Sequence, residues 1–173
     1  MSYFILEKHE AYTPPIIKNW YGKVDAKKGS KGSKMIPKHT TFPIANHMQT
    51  VFVDMLLHPC FMVSKKAMNV IKLYEPSLSY EHLALYDPEN KKTKVYYIPK
   101  LPQLDVFTAN SKFNQNKSVI IYAEVDGTKT YDKALFQASN MKNATILIHL
   151  ELIESLLKHG VTCMGLKETT TIY

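Results

Sequence analysis

The stretch His82-Leu83-Ala84-Leu85-Tyr86, Asp87-Pro88-Glu89-Asn90-Lys91-Lys92, Lys94-Val95-Tyr96-Tyr97-Ile98 decides the fold class. Two apolar runs of equal length flank a polar turn that holds proline and asparagine. Proline presets φ for a turn and asparagine tolerates a left-handed backbone, so the stretch reads as a β-hairpin. In a regular strand the adjacent Tyr96 and Tyr97 point to opposite faces. One is therefore core and the other a surface candidate, and the sequence does not say which.

Upstream, residues Ser64 to Glu75 read as a helix. Ser64 can cap the free N–H groups, and Ala67, Met68, Ile71 and Tyr74 recur at three- and four-residue spacing. Pro76 prevents continuation. Before it, Thr50-Val51-Phe52-Val53-Asp54-Met55-Leu56-Leu57 is apolar and partly β-branched, and stops at His58-Pro59. Downstream the β pattern continues through Leu104–Phe107, Ser118–Ala123, Ala134–Phe136 and Ala144–Ile148. A second helix is expected over about 151–159, with Leu152, Ile153, Leu156 and Leu157 on its buried face. Its acids sit near the start and Lys158-His159 near the end, as the helix dipole favours, and Gly160 suits a left-handed stop. Val161–Leu166 reads as the last strand and Tyr3–Leu6 as the first. The expectation is an α+β fold, mainly antiparallel meander, with two packed helices.

A chain of 173 residues has length for one well-filled core and hardly for two, so a single domain over 1–173 is expected. No run approaches the roughly 20 apolar residues of a membrane span. The N-terminal Met1-Ser2-Tyr3-Phe4-Ile5-Leu6-Glu7 lacks a basic segment before its apolar residues, so it reads as a strand and not a secretory signal. Cys60 and Cys163 are too few and too far apart for a disulfide framework, which points to reduced thiols in a cytoplasmic protein.

All 22 basic residues are lysine. Arginine is the residue of choice for bidentate recognition of guanine and phosphate. Its absence argues against a specific nucleic-acid reader and hints at an AT-rich bacterial genome. The net charge of +7 is uneven. Residues 1–48 carry eight lysines against Glu7, Glu10 and Asp25, while the remainder carries fourteen against twelve acids. The excess centres on 23–38, where Lys27, Lys28, Lys31 and Lys34 alternate with glycine and serine. That composition has little to bury, so a mobile loop is expected there.

No motif carries catalytic spacing. His58-Pro59-Cys60 with Asp54 suggests a thiol–imidazole–acid set, but groups so close in sequence seldom converge, since nucleophile and base come from different elements. Histidines and cysteines lack the CxxC, HxxxH or HExxH spacing of a metal site. The glycines form neither GxGxxG nor a phosphate loop. Neither catalytic residues, a metal nor a cofactor is expected, and the chain reads as a binding protein and not an enzyme. The candidate partner-binding residues are Trp20 and Tyr21, the lysines 27, 28, 31 and 34, and Tyr86, Asp87, Glu89, Tyr96 and Tyr97 of the hairpin. Aromatic residues anchor protein interfaces. One alternative is a nucleic-acid accessory protein that uses the basic 23–38 loop beside Trp20, Tyr21 and Phe42. An uncharacterised enzyme is a second.

From residue 54 onward the order of elements resembles a family of bacterial immunity proteins from polymorphic-toxin loci. The segments that carry the resemblance are Met62-Val63-Ser64-Lys65-Lys66-Ala67-Met68-Asn69-Val70-Ile71, Tyr74-Glu75-Pro76, Leu85-Tyr86-Asp87 and Tyr96-Tyr97-Ile98-Pro99. Ser111-Lys112-Phe113-Asn114, Ala144-Thr145-Ile146-Leu147-Ile148 and Glu154-Ser155-Leu156-Leu157 extend it. The resemblance covers about two thirds of the chain and leaves the first 48 residues least matched. It implies an antitoxin that binds and occludes a cognate toxin domain in the cytoplasm, with shape and charge complementarity but no reactive group.

Overall fold

A computed structural model describes residues 2–24, 36–45 and 50–173. The strands are β1 (Tyr3–Lys8), β2 (Thr41–Pro43), β3 (Met55–Leu56), β4 (Met62–Val63), β5 (Tyr80–Asp87), β6 (Lys92–Pro99) and β7 (Gln103–Leu104). They continue with β8 (Lys112–Phe113), β9 (Ile120–Tyr122), β10 (Glu124–Asp126), β11 (Leu135–Ala138), β12 (Thr145–His149), β13 (Met164–Glu168) and β14 (Thr170–Ile172). Helix α1 spans Lys65–Tyr74 and α2 spans Leu150–Lys158. The fold class is α+β with largely antiparallel pairing.

The strands form two five-stranded sheets and two two-stranded ones, β10 with β14 and β8 with β9; the five-stranded sheets carry the core. One has the order β13-β1-β12-β11-β7, the other β2-β5-β6-β4-β3. Each holds a pair of consecutive antiparallel strands: β11 with β12 in the first, and in the second the longer hairpin of β5 and β6, in register from Tyr80 opposite Pro99 to Asp87 opposite Lys92. In the first, β1 lies between two strands from the far end of the chain, β12 and β13. Two pairings are parallel within the sheets, β11 with β7 and β2 with β5.

The helices join the two sheets. Ala67, Met68, Val70 and Ile71 of α1 and Leu152, Ile153 and Leu156 of α2 share one apolar cluster with Val63 of one sheet and Leu135, Ile146 and Ile148 of the other. Strand alternation then separates the remaining core. Leu147 and Phe136 turn to the opposite face, onto Val106, Ile120 and Val125. Leu83, Leu85, Tyr96 and Ile98 likewise face Phe42, Ile44 and Cys60.

Polar groups close the helix ends. The Ser64 hydroxyl accepts from Ala67 N–H at 3.2 Å, as its N-cap role predicts. His149 caps α2, its Nδ1 accepting from Glu151 N–H at 3.3 Å, a role the sequence reading had not assigned. Glu75 at the end of α1 is buried, and its carboxylate accepts from Ala134 N–H at 2.7 Å and from Lys133 Nζ at 3.3 Å. Gly160 ends α2 at φ +71°, the left-handed stop expected of it.

The run 50–57 forms strand only at Met55–Leu56; ahead of it Thr50 makes an isolated bridge to Thr13, and Asp54 O accepts from Ser64 N–H. The last expected strand starts later, at Met164, and a further one, Thr170–Ile172, pairs in parallel with β10.

Candidate functional site

A cavity of about 260 Å³ opens where three distant segments meet. The first is the end of β1 and the chain after it, which supplies Leu6, Pro14, Pro15 and Ile16. The second is Val53–His58, with Met55 and Leu57 at the wall. The third is Cys163-Met164 at the start of β13. Glu7, Lys8, His9, Tyr12 and His58 add the polar side chains of the lining. Preformed cavities that are mostly apolar with a few polar groups are the usual form of a binding site.

Each segment is fixed by backbone pairing. Lys8 pairs with Met164 and Glu7 with Gly165. A Cβ at Gly165 would stand 2.6 Å from the Glu7 carbonyl oxygen and 2.7 Å from that of Lys8, so only glycine permits this approach. Val51 N–H reaches Thr13 O at 3.0 Å, and Ala45 N–H reaches Ile16 O at 2.7 Å. The wall is therefore set by ladder bonds and not by side-chain packing alone.

The third segment is held by one buried acid. Asp54 Oδ2 accepts from Thr162 N–H at 3.1 Å and from the Thr162 hydroxyl at 3.5 Å. Lys66 Nζ stands 2.9 Å from the same oxygen and also donates to the Gly160 carbonyl. Burial alone would raise the Asp54 carboxyl pKa. Hydrogen bonds from Lys66, Ser64 and Thr162 outweigh it and hold the carboxyl below its ordinary value. Cys163 follows at φ +69°, a left-handed conformation that costs a side-chain-bearing residue energy. Its thiol lies 3.5 Å from Thr162 Oγ1.

The set Asp54, His58 and Cys60 does not form a reactive centre. Cys60 has no exposed surface and sits in the core beneath the hairpin sheet. His58 packs edge-on to the Trp20 ring, with centroids 5.1 Å apart. Asp54 is committed to Lys66 and Thr162. Among the described residues no group of three His, Cys, Asp or Glu side chains could hold a metal ion.

The partner-binding candidates separate into two places. Trp20 is half-buried, and through His58 it reaches the cavity edge, with Tyr21 beside it at 88% exposure. Tyr86 is half-buried and Glu89 exposed at the far end of the hairpin. Asp87 is buried there and holds the turn, accepting from Glu89 N–H at 3.1 Å and from Asn90 N–H at 3.2 Å. Tyr97 is half-buried against the helix cluster. Tyr96 is a correction: it has no exposed surface, and its hydroxyl donates to Val53 O at 2.7 Å. Burial, then the nearby Asp54 carboxylate and Cys163, push that hydroxyl far above the ordinary tyrosine value. Tyr96 therefore supports the floor behind Val53 and cannot meet a partner. Lys27, Lys28, Lys31 and Lys34 lie outside the described residues, as does most of the expected loop. Within its expected bounds, Val24 and Ile36 are buried in the hairpin-sheet core.

Sequence reasoning missed Pro14, Pro15, Ile16, Met55, Cys163 and Met164 as a site. Their only local signal is the adjacent pair Pro14-Pro15, whose missing N–H groups break a strand and name no site.

Compared with known proteins, the chain matches no protein-family model and no curated protein. No helix among the described residues is long and apolar enough to cross a membrane.

Proposed function

We propose that this protein acts by binding another protein through the cavity face, and that the partner is a bacterial toxin domain which it occludes in the cytoplasm. The observation that carries the binding reading is the open apolar cavity bordered by exposed apolar residues. Tyr12 and Ile16 line it and are exposed, and Tyr21 projects nearby. A pocket for an anchor side chain inside a ring of contacts that exclude water is the usual anatomy of an interface hot spot. The choice of a toxin as partner rests on the resemblance to immunity proteins described above. Occlusion asks for about 800 Å² of surface on each side and for no reactive group. A net charge of +7 favours an acidic partner surface and faster encounter at low salt.

The test is a purified pair: this chain and the toxin domain encoded by the neighbouring gene. Calorimetry is expected to give a one-to-one complex, and the toxin's activity to fall in proportion to the added protein. No complex at micromolar concentrations, or a complex that leaves the toxin active, would overturn the proposal.

A further inference from the structure

The chemistry of the cavity wall selects what enters it. Three of its side chains carry sulfur: Met55, Met164 and Cys163. Met55 is buried and Met164 half-buried. Sulfur makes favourable contacts with aromatic rings, often at the ring edge. Pro14 and Pro15 add two saturated rings whose C–H groups suit an aromatic face. A volume of about 260 Å³ takes one large side chain and no length of helix or strand.

The polar groups refine the choice. His9 Nδ1 accepts from Ala11 N–H at 3.2 Å, so in the neutral ring Nε2 carries the proton and donates. Its ring also lies 5.1 Å from that of Tyr12. Lys8 and Glu7 line the cavity with His9, so donors and an acceptor stand at its edge, and these suit a hydroxyl at the far end of a ring.

We infer that the cavity receives an aromatic side chain of the partner protein, with tyrosine the best match. This inference rests on the binding function proposed above and specifies the anchor that the partner must present. Tyrosine and tryptophan are also the residues that most often dominate interface energetics.

The side chain can be tested without the partner. The full chain with 13C-labelled methionine methyls is titrated with p-cresol, the tyrosine side-chain analogue, and with 4-methylcyclohexanol, its saturated counterpart. p-Cresol is expected to shift the Met55 and Met164 methyl signals and leave Met141 in place. It should bind about fivefold more tightly than the saturated ring. Equal affinity for the two, or no movement at Met55 and Met164, would overturn the inference. Met164→Leu keeps volume and removes one sulfur, and should erase much of the preference without unfolding the protein. A preference undiminished in Met164→Leu would overturn the role given to sulfur.

The partner arm separates the two levels. If the toxin domain binds but tolerates alanine at each of its exposed Tyr, Trp and Phe residues, this inference fails and the binding function stands. If no complex forms, the proposed function itself fails.

Discussion

The Asp54 carboxylate accepts the Thr162 backbone N–H at 3.1 Å, joining residues 108 apart in sequence. That bond fixes the residue before Cys163 and thereby the third wall of the cavity. The same oxygen takes Lys66 from α1, while the Asp54 carbonyl accepts from Ser64 N–H at 2.8 Å. One acidic side chain thus ties the start of α1, the exit of α2 and the cavity together.

The Asp54 carboxyl is held below its ordinary value of 3.8, so its folded pKa lies under its unfolded one. Such a group stabilises the fold at pH above about 4, and the contribution is lost as pH falls through the folded value. Asp54→Asn keeps an acceptor for Thr162 but gives up the charge facing Lys66. A loss of about 1–2 kcal/mol is expected at pH 7, near the range for hydrogen bonds to charged groups. Urea unfolding at pH 7 and pH 3 checks the sign: the gap between wild type and variant should narrow at pH 3. An unchanged gap would show that the carboxylate is not the stabilising species.

Gly165 and Gly160 make a contrasting pair. Both are single glycines near the third wall, but only Gly165 has backbone oxygens within 3 Å of an added Cβ. Gly165→Ala must splay β1 from β13, at a cost of about 2–3 kcal/mol, the scale of overpacking. Gly160→Ala meets nothing within 4 Å and faces only its φ of +71°, about 1 kcal/mol. Denaturant midpoints of the two variants should rank in that order. Faster amide exchange at Leu6, opposite Leu166, should appear in Gly165→Ala alone.

What the sequence discloses here follows contact range. Helix α1 and the β5–β6 hairpin are legible because cap, periodicity and turn all lie within a few residues. The central place of β1 is not, because its partners are 145–149 and 164–168 and nothing in Tyr3–Lys8 names them. The pleat sends Tyr96 and Tyr97 to opposite faces, but both faces are covered. Tyr96 meets the cluster beneath the hairpin sheet and Tyr97 the helix cluster, and nothing local to the hairpin announces that. The cavity was hidden for the same reason. Pro14, Met55 and Met164 share no spacing, and Cys163 gives no sign in sequence of its left-handed backbone.

Tyr96 separates stability from binding. Its hydroxyl is buried and bonded to Val53 O, so Tyr96→Phe leaves that carbonyl short of a donor while keeping the ring. A loss of about 1 kcal/mol is expected, read as a shift in the denaturant midpoint. Affinity for the partner, measured where the variant remains folded, should be unchanged. A large fall in affinity with intact stability would return Tyr96 to the interface and overturn the correction.

Tyr12 and Glu89 ask which of two exposed places meets the partner. Tyr12 lines the cavity and is partly exposed, whereas Glu89 lies at the turn of the hairpin, where the sequence alone had placed part of the surface. An aromatic residue at the edge of an anchor pocket costs about 2 kcal/mol when truncated. In affinity that is about thirtyfold. A rim charge far from the anchor mainly alters the association rate and its salt dependence. Tyr12→Ala should therefore weaken the proposed partner complex about thirtyfold through faster dissociation, while Glu89→Lys leaves dissociation unchanged. The reverse pattern would move the interface from the cavity to the hairpin turn. The proposed anchor would then have no pocket to enter.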